Sequence, residues 1–83
     1  MTDKTCLFNL SVINKENIKE TLKNVCNSLE LKGYNPVNQL VGYLMSGDPG
    51  YISNFGNARD EIMELDRADI LEFLVTEYLK CAI

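Results

Sequence analysis

Two hydroxyls near the start of the chain, Thr2 and Thr5, are the side chains best placed for chemistry done to this protein. They sit in a polar leader, Thr2-Asp-Lys-Thr5, directly ahead of the apolar cluster Cys6-Leu-Phe8. A threonine in an accessible, extended segment can enter a kinase active site. Phosphorylation there adds about −1.5 to −2 charges at pH 7 and three acceptor oxygens. Beside an apolar cluster, such a group can undock the cluster or attract an arginine. On residue types alone a plainer reading is favoured, two polar residues at a frayed terminus.

Chemistry done by the protein has little to draw on. The chain contains no histidine, so the commonest general base and metal ligand is missing. Its three cysteines, Cys6, Cys26 and Cys81, are odd in number and far apart. That argues against a disulfide framework and for a reducing compartment. No CxxC pair accompanies them, and no metal site is expected. Cys26 falls on the apolar face of a predicted helix, where a buried structural role is the better reading. Asp60-Glu61 and the pair Asp66/Asp69 stand in the first turns of predicted helices, where acids complement the macrodipole. Gly47-Asp-Pro-Gly50 lacks the Gly-Lys-Ser/Thr that completes a phosphate loop. The expectation is a protein that is not an enzyme and has no cofactor.

Composition narrows the partners. Eighty-three residues, 46% hydrophobic and 24% charged, suit one folded domain with a small core. Small domains often gain apolar burial by oligomerising, so a homodimer is expected. Eight Lys+Arg stand against 12 Asp+Glu, a net charge of −4, and the lysines are dispersed. Nucleic acid, which needs concentrated positive charge, is an improbable partner. No apolar run approaches a membrane span, and the first residues lack a secretory signal. A cytoplasmic protein without membrane insertion is expected.

The elements follow from punctuation and period. Residues 1–12 read as an N-terminal arm, with the first five residues mobile. Asn14 is a good N-cap, after which Ile18, Leu22, Val25, Cys26 and Leu29 form one apolar face. Gly33 ends that helix. Asn35-Pro36 starts another as N-cap and N1, running over about residues 36–46 and burying Val37, Leu40, Val41, Leu44 and Met45. Gly42 within it predicts close packing, with another helix crossing there. Gly47 stops it, Asp48-Pro49 repeats the start signal, and a single turn through Tyr51 and Ile52 follows. Residues 53–57 read as a loop. Asn57 is expected to cap a helix through about Leu65, and Asp66-Arg-Ala-Asp69 forms a variant capping box. The last helix, about 67–81, carries Ile70, Leu71, Phe73, Leu74, Val75, Tyr78 and Leu79 on more than one face. One side can meet its own core and another a partner subunit, which makes Phe73, Leu74 and Tyr78 the dimer-interface candidates.

The expected fold is therefore all-α: a compact small bundle of four main helices plus a short helical turn, with a flexible N-terminal arm over 1–12, a single helical domain over 13–83, and a homodimeric assembly. A helix-turn-helix reading would use Asn38 and Gln39 on the second helix to reach base edges. Almost no basic charge surrounds them to hold phosphates. A constitutive helical scaffold is the stronger alternative to a modified regulator, and a DNA-binding dimer the weaker.

The segment Gly33-Tyr34-Asn35-Pro36, with Asn38-Gln39, Val41-Gly42-Tyr43, Ser46-Gly47-Asp48-Pro49 and Tyr51-Ile52, closely resembles the IreB/ReoM family of small bacterial regulatory proteins. The likeness continues through Asn57-Ala58-Arg59, Ile62, Ile70-Leu71-Glu72, Leu74-Val75 and Tyr78-Leu79-Lys80, covering nearly the whole chain. The resemblance implies a cytoplasmic protein without catalytic activity, the substrate of a membrane-bound Ser/Thr kinase with extracellular PASTA repeats. The family's acceptor threonine precedes a short hydrophobic-aromatic stretch, which Thr5-Cys6-Leu7-Phe8-Asn9-Leu10 matches. Thr2 matches a second acceptor found in some members. The resemblance further implies a phospho-switch on peptidoglycan precursor synthesis and cell-wall antibiotic tolerance. In some members it acts through Clp-protease turnover of the first committed enzyme of that pathway. Arg59 and Arg67 match basic family positions and are the partner-binding candidates; as plain surface charges they would pair with nearby acids. The chain departs from the family where Ser53, Asn54 and Phe55 replace Pro-Arg-His, and where Met63 and Glu64 replace basic residues.

Overall fold

The computed structural model describes the backbone of residues 2–82 and the side chains of residues 15–82. Four α-helices follow in order: α1 (Thr2–Leu31), α2 (Pro36–Ser46), α3 (Ala58–Met63) and α4 (Arg67–Ala82). Two single 3-10 turns, Pro49–Tyr51 and Phe55–Asn57, link α2 to α3. Among the described residues there is no strand, and the all-α expectation holds. α1 is continuous from Thr2, so Asn14 lies inside it rather than at its start. Neither Gly nor Pro interrupts residues 2–31, and an internal Asn costs a helix less than 1 kcal/mol. The side chains of the arm expected over residues 1–12, Thr2 and Thr5 among them, lie outside the described residues.

The helix signals beyond residue 31 act as read. Gly33 adopts φ +90, and Tyr34 N donates back to Leu29 O at 2.9 Å, closing α1 with a left-handed residue. Asn35 Oδ1 accepts from Asn38 N at 3.2 Å, and Asp48 Oδ1 accepts from Gly50 N at 2.9 Å. The start of α3 is different. Asn57 holds the cap position with φ 64 and makes no side-chain bond. Asn54 Oδ1 takes over, accepting from Asp60 N at 3.3 Å. With Gly56 also at φ 62, the chain folds back as a second turn and brings Asn54 to the amide. Asp66 caps α4 by accepting from Ala68 N at 3.0 Å.

The core forms where α1 meets the rest. Ile18, Leu22, Val25 and Leu29 of α1 are buried with Tyr43, Ile52, Ala58, Ile62 and Ile70, and Leu40, Leu44, Leu65 and Phe73 pack against them. Cys26, expected on the buried face, is only half-buried. On α2 the buried side is corrected. Leu40, Tyr43 and Leu44 face inward, while Val37, Val41 and Met45 are exposed. An apolar 11-residue helix offers two stripes, and its period cannot choose between them. The inward stripe holds Tyr43, and an aromatic ring removes more apolar surface than a valine.

Gly42 does mark a close approach, but by a side chain rather than a crossing helix. A Cβ there would lie 2.5 Å from Cδ1 of Tyr51, the last residue of the first 3-10 turn. Gly42→Ala should therefore destabilise by about 1–2 kcal/mol, the overpacking cost exceeding the helix-propensity gain of about 1 kcal/mol. In a Tyr51→Ala background the same change should stabilise. Chemical denaturation of the four proteins reads that reversal of sign.

Candidate functional site

The signature segment folds into the α2–α3 connection, and most of its residues hold that connection together. Ser46 Oγ donates to Gly42 O at 2.7 Å and accepts from Asp48 N at 3.0 Å. Gln39 Oε1 accepts from Ser53 N at 2.8 Å, pinning the segment after Ile52 to α2. Gln39, a candidate for reading base edges, is thus committed to backbone. Its structural role had no local signal, because its partner lies 14 residues away.

Arg59 and Arg67 are both committed to carbonyl oxygens rather than to acids. Arg59 Nε donates to Ile52 O at 2.9 Å in a partly buried setting. Arg67 Nη1 donates to Leu44 O at 2.8 Å, with its guanidinium lying over Gly47. A cation at the last carbonyls of α2 complements the negative end of the helix dipole. Neither arginine pairs with a carboxylate: among the described residues the one ion pair is Lys80–Glu77 at 3.5 Å. Arg67 stays exposed, so the donors it does not use face solvent, whereas Arg59 is half-buried.

The positions that depart from the basic pattern form part of the same scaffold. Ser53 Oγ accepts from Phe55 N at 3.4 Å, and Asn54 caps α3. Phe55 lies beneath Lys32, whose Nζ is 5.5 Å from the ring centroid, within cation–π range. Positive charge is thereby carried next to this turn from the residue that follows α1. Met63 and Glu64, at the end of α3, are exposed.

Residues 3–80 match the IreB regulatory phosphoprotein family. The chain belongs to that family. A regulatory phosphoprotein is read through its surface, and the family match includes Thr5 while leaving Thr2 one residue outside it. Arg59, Arg67 and the α4 residues lie inside the match as well. Of the interface candidates, Phe73 packs partly against its own core, while Leu74 and the 70%-exposed Tyr78 point outward.

The thiols of this IreB-family protein differ in environment. Burial, and secondarily the neighbouring Glu30 carboxylate, push the Cys26 thiol up from its ordinary value, because both disfavour the thiolate. Cys81 is exposed near the end of α4. Since thiolate is the nucleophile, iodoacetamide at pH 8 should alkylate Cys81 well before Cys26. Peptide mapping over time reads the order, and raising the pH should speed the Cys26 reaction. Equal rates would contradict the burial.

Proposed function

We propose that this protein is a non-catalytic cytoplasmic phospho-switch whose principal acceptor is Thr5, with Thr2 secondary. The observation that carries the reading is the family match over residues 3–80, which takes in Thr5 and its following stretch Cys6-Leu-Phe8. The kinase is a membrane-bound Ser/Thr enzyme with PASTA repeats. The regulated process is peptidoglycan precursor synthesis and with it cell-wall antibiotic tolerance, reached through Clp-protease turnover of a pathway enzyme. The unmodified form restrains wall synthesis, and phosphorylation relieves the restraint. The protein works as a homodimer, a reading supported by the outward apolar side chains of α4. Among the described residues no helix is long and apolar enough to cross a membrane, which suits a substrate that comes to a membrane-bound kinase from the cytoplasmic side.

Mass spectrometry after incubation with the PASTA-type kinase domain tests the proposal. Phosphate is expected on Thr5, lost in Thr5→Ala and retained in Thr2→Ala. No modification at either threonine would leave a constitutive helical interaction module.

A further inference from the structure

Most of the described cations are occupied within the fold. Arg59 and Arg67 donate to carbonyl oxygens, Lys80 pairs with Glu77, and Lys32 lies over the Phe55 ring. Among the described residues three are left, Lys15, Lys19 and Lys23. All are exposed, and none has a described carboxylate within ion-pair distance. They recur at i, i+4 and i+8 on α1, which sets them in one row about 12 Å long at the helical rise of 1.5 Å per residue. Ile18 and Leu22, the residues just before Lys19 and Lys23, are buried. The row therefore stands on the part of α1 that the core holds in place.

Two features decide what the row can meet. Glu16 and Glu20 stand three residues ahead of Lys19 and Lys23 without closing an ion pair. Three lysines flanked by acids, on a chain of net charge −4, are too few for the phosphates of a nucleic acid. They suit a small acidic patch on another protein. The second feature is that the row shares one continuous helix with Thr5. Lys15 comes ten residues after Thr5, about 15 Å along the helix axis. A protein that grips the row therefore has the acceptor within reach of its own surface. A kinase cleft takes its acceptor extended, so the first turns of α1 must open for transfer, while the row keeps its place on the core-anchored part.

We propose that Lys15, Lys19 and Lys23 are a docking site for an acidic patch beside the catalytic cleft of the kinase. They hold the chain while the γ-phosphoryl of ATP passes to the Thr5 hydroxyl, with release of ADP and the hydroxyl proton. The inference rests on the Thr5 reading above and adds the surface by which the kinase selects this protein. Contacts between exposed charges are worth little singly, so the row acts on encounter and affinity rather than on the chemical step.

Steady-state phosphorylation of the full chain by the soluble kinase domain, at saturating ATP, tests it. Lys15→Gln, Lys19→Gln and Lys23→Gln combined remove the charges at exposed positions and keep good helix formers, so far-UV circular dichroism should be unchanged. KM for the protein substrate should rise on the order of 10-fold, the sum of three exposed charge contacts, with kcat within about twofold of wild type. Added salt should raise the wild-type KM toward that of the variant. Lys80→Gln, which removes a cation already paired with Glu77, should keep the wild-type KM. An unchanged KM in the triple variant, with Thr5 still phosphorylated, would overturn the docking site and leave the Thr5 reading intact. Co-sedimentation of the wild type with phosphatidylglycerol vesicles, lost in the triple variant while its KM in solution stays the same, would also overturn it, because the row would then meet a membrane. A wild-type chain that the kinase does not phosphorylate at Thr5 would overturn both.

Discussion

Ile62→Ala is expected to lower the unfolding free energy by about 2–5 kcal/mol, the cost of emptying a fully buried aliphatic site. The effect is large here because α3 is only six residues long and a helix that short has no stability of its own. Its place against α1 is held by two buried residues, Ala58 and Ile62, of which Ile62 supplies most of the apolar area. Domains of this size hold about 5–15 kcal/mol in all, so the variant should retain little margin. Thermal unfolding at fixed protein concentration should show the midpoint falling by roughly 10–30 °C, at about 4–8 °C per kcal/mol. Ile62→Val, which keeps most of the volume, should cost about 0.5–1.5 kcal/mol. A loss below about 0.5 kcal/mol for Ile62→Ala, within the range of an ordinary surface change, would show that α3 does not anchor the core.

Gly47→Ala should cost about 1.5–3.5 kcal/mol, because two separate costs meet at one atom. Gly47 sits at φ +78 as the left-handed cap of α2, its N–H donating to Tyr43 O. An L side chain in that conformation costs roughly 1–2 kcal/mol. The new Cβ would also lie 2.9 Å from Cζ and Nη2 of Arg67, so the guanidinium must leave Leu44 O. That adds about 0.5–1.5 kcal/mol for an exposed hydrogen bond. Arg67→Ala alone should cost only that second amount. In the double variant the clash has gone, and the two losses should fall short of their sum by about 1 kcal/mol. Full additivity in denaturant titrations would mean that Arg67 does not occupy the end of α2.

That latch explains why Arg67 is misread as a bare surface charge. Its family position and its basicity were legible, and both suggested a partner. The tertiary structure sets it on the last turn of α2, 23 residues away in sequence. Arg59 is similar, holding Ile52 O across the connection. For the candidate site, then, Thr5 is proposed from family likeness, since residue type alone favours a frayed terminus, while the work of the two arginines depends on which carbonyls the fold brings to them.

The helix boundaries from Gly33 onward were mostly written into the chain. Gly33, Asn35-Pro36, Gly47 and Asp48-Pro49 act through φ preferences and hydrogen bonds within a few residues, so local chemistry suffices to place them. The α1 face of Ile18, Leu22, Val25 and Leu29 was equally plain, because the helix offers one apolar stripe there. Other features are matters of long-range packing. Only the assembled fold turned Tyr43 inward and Val41 outward, put the Tyr51 ring against Gly42, and moved the cap of α3 from Asn57 to Asn54. On α2 the competing stripes lie close in local energy, and burial of Tyr43 against side chains distant in sequence, worth about 1.5–3 kcal/mol, made the choice, while the cap of α3 follows from the chain reversal at Gly56 and Asn57.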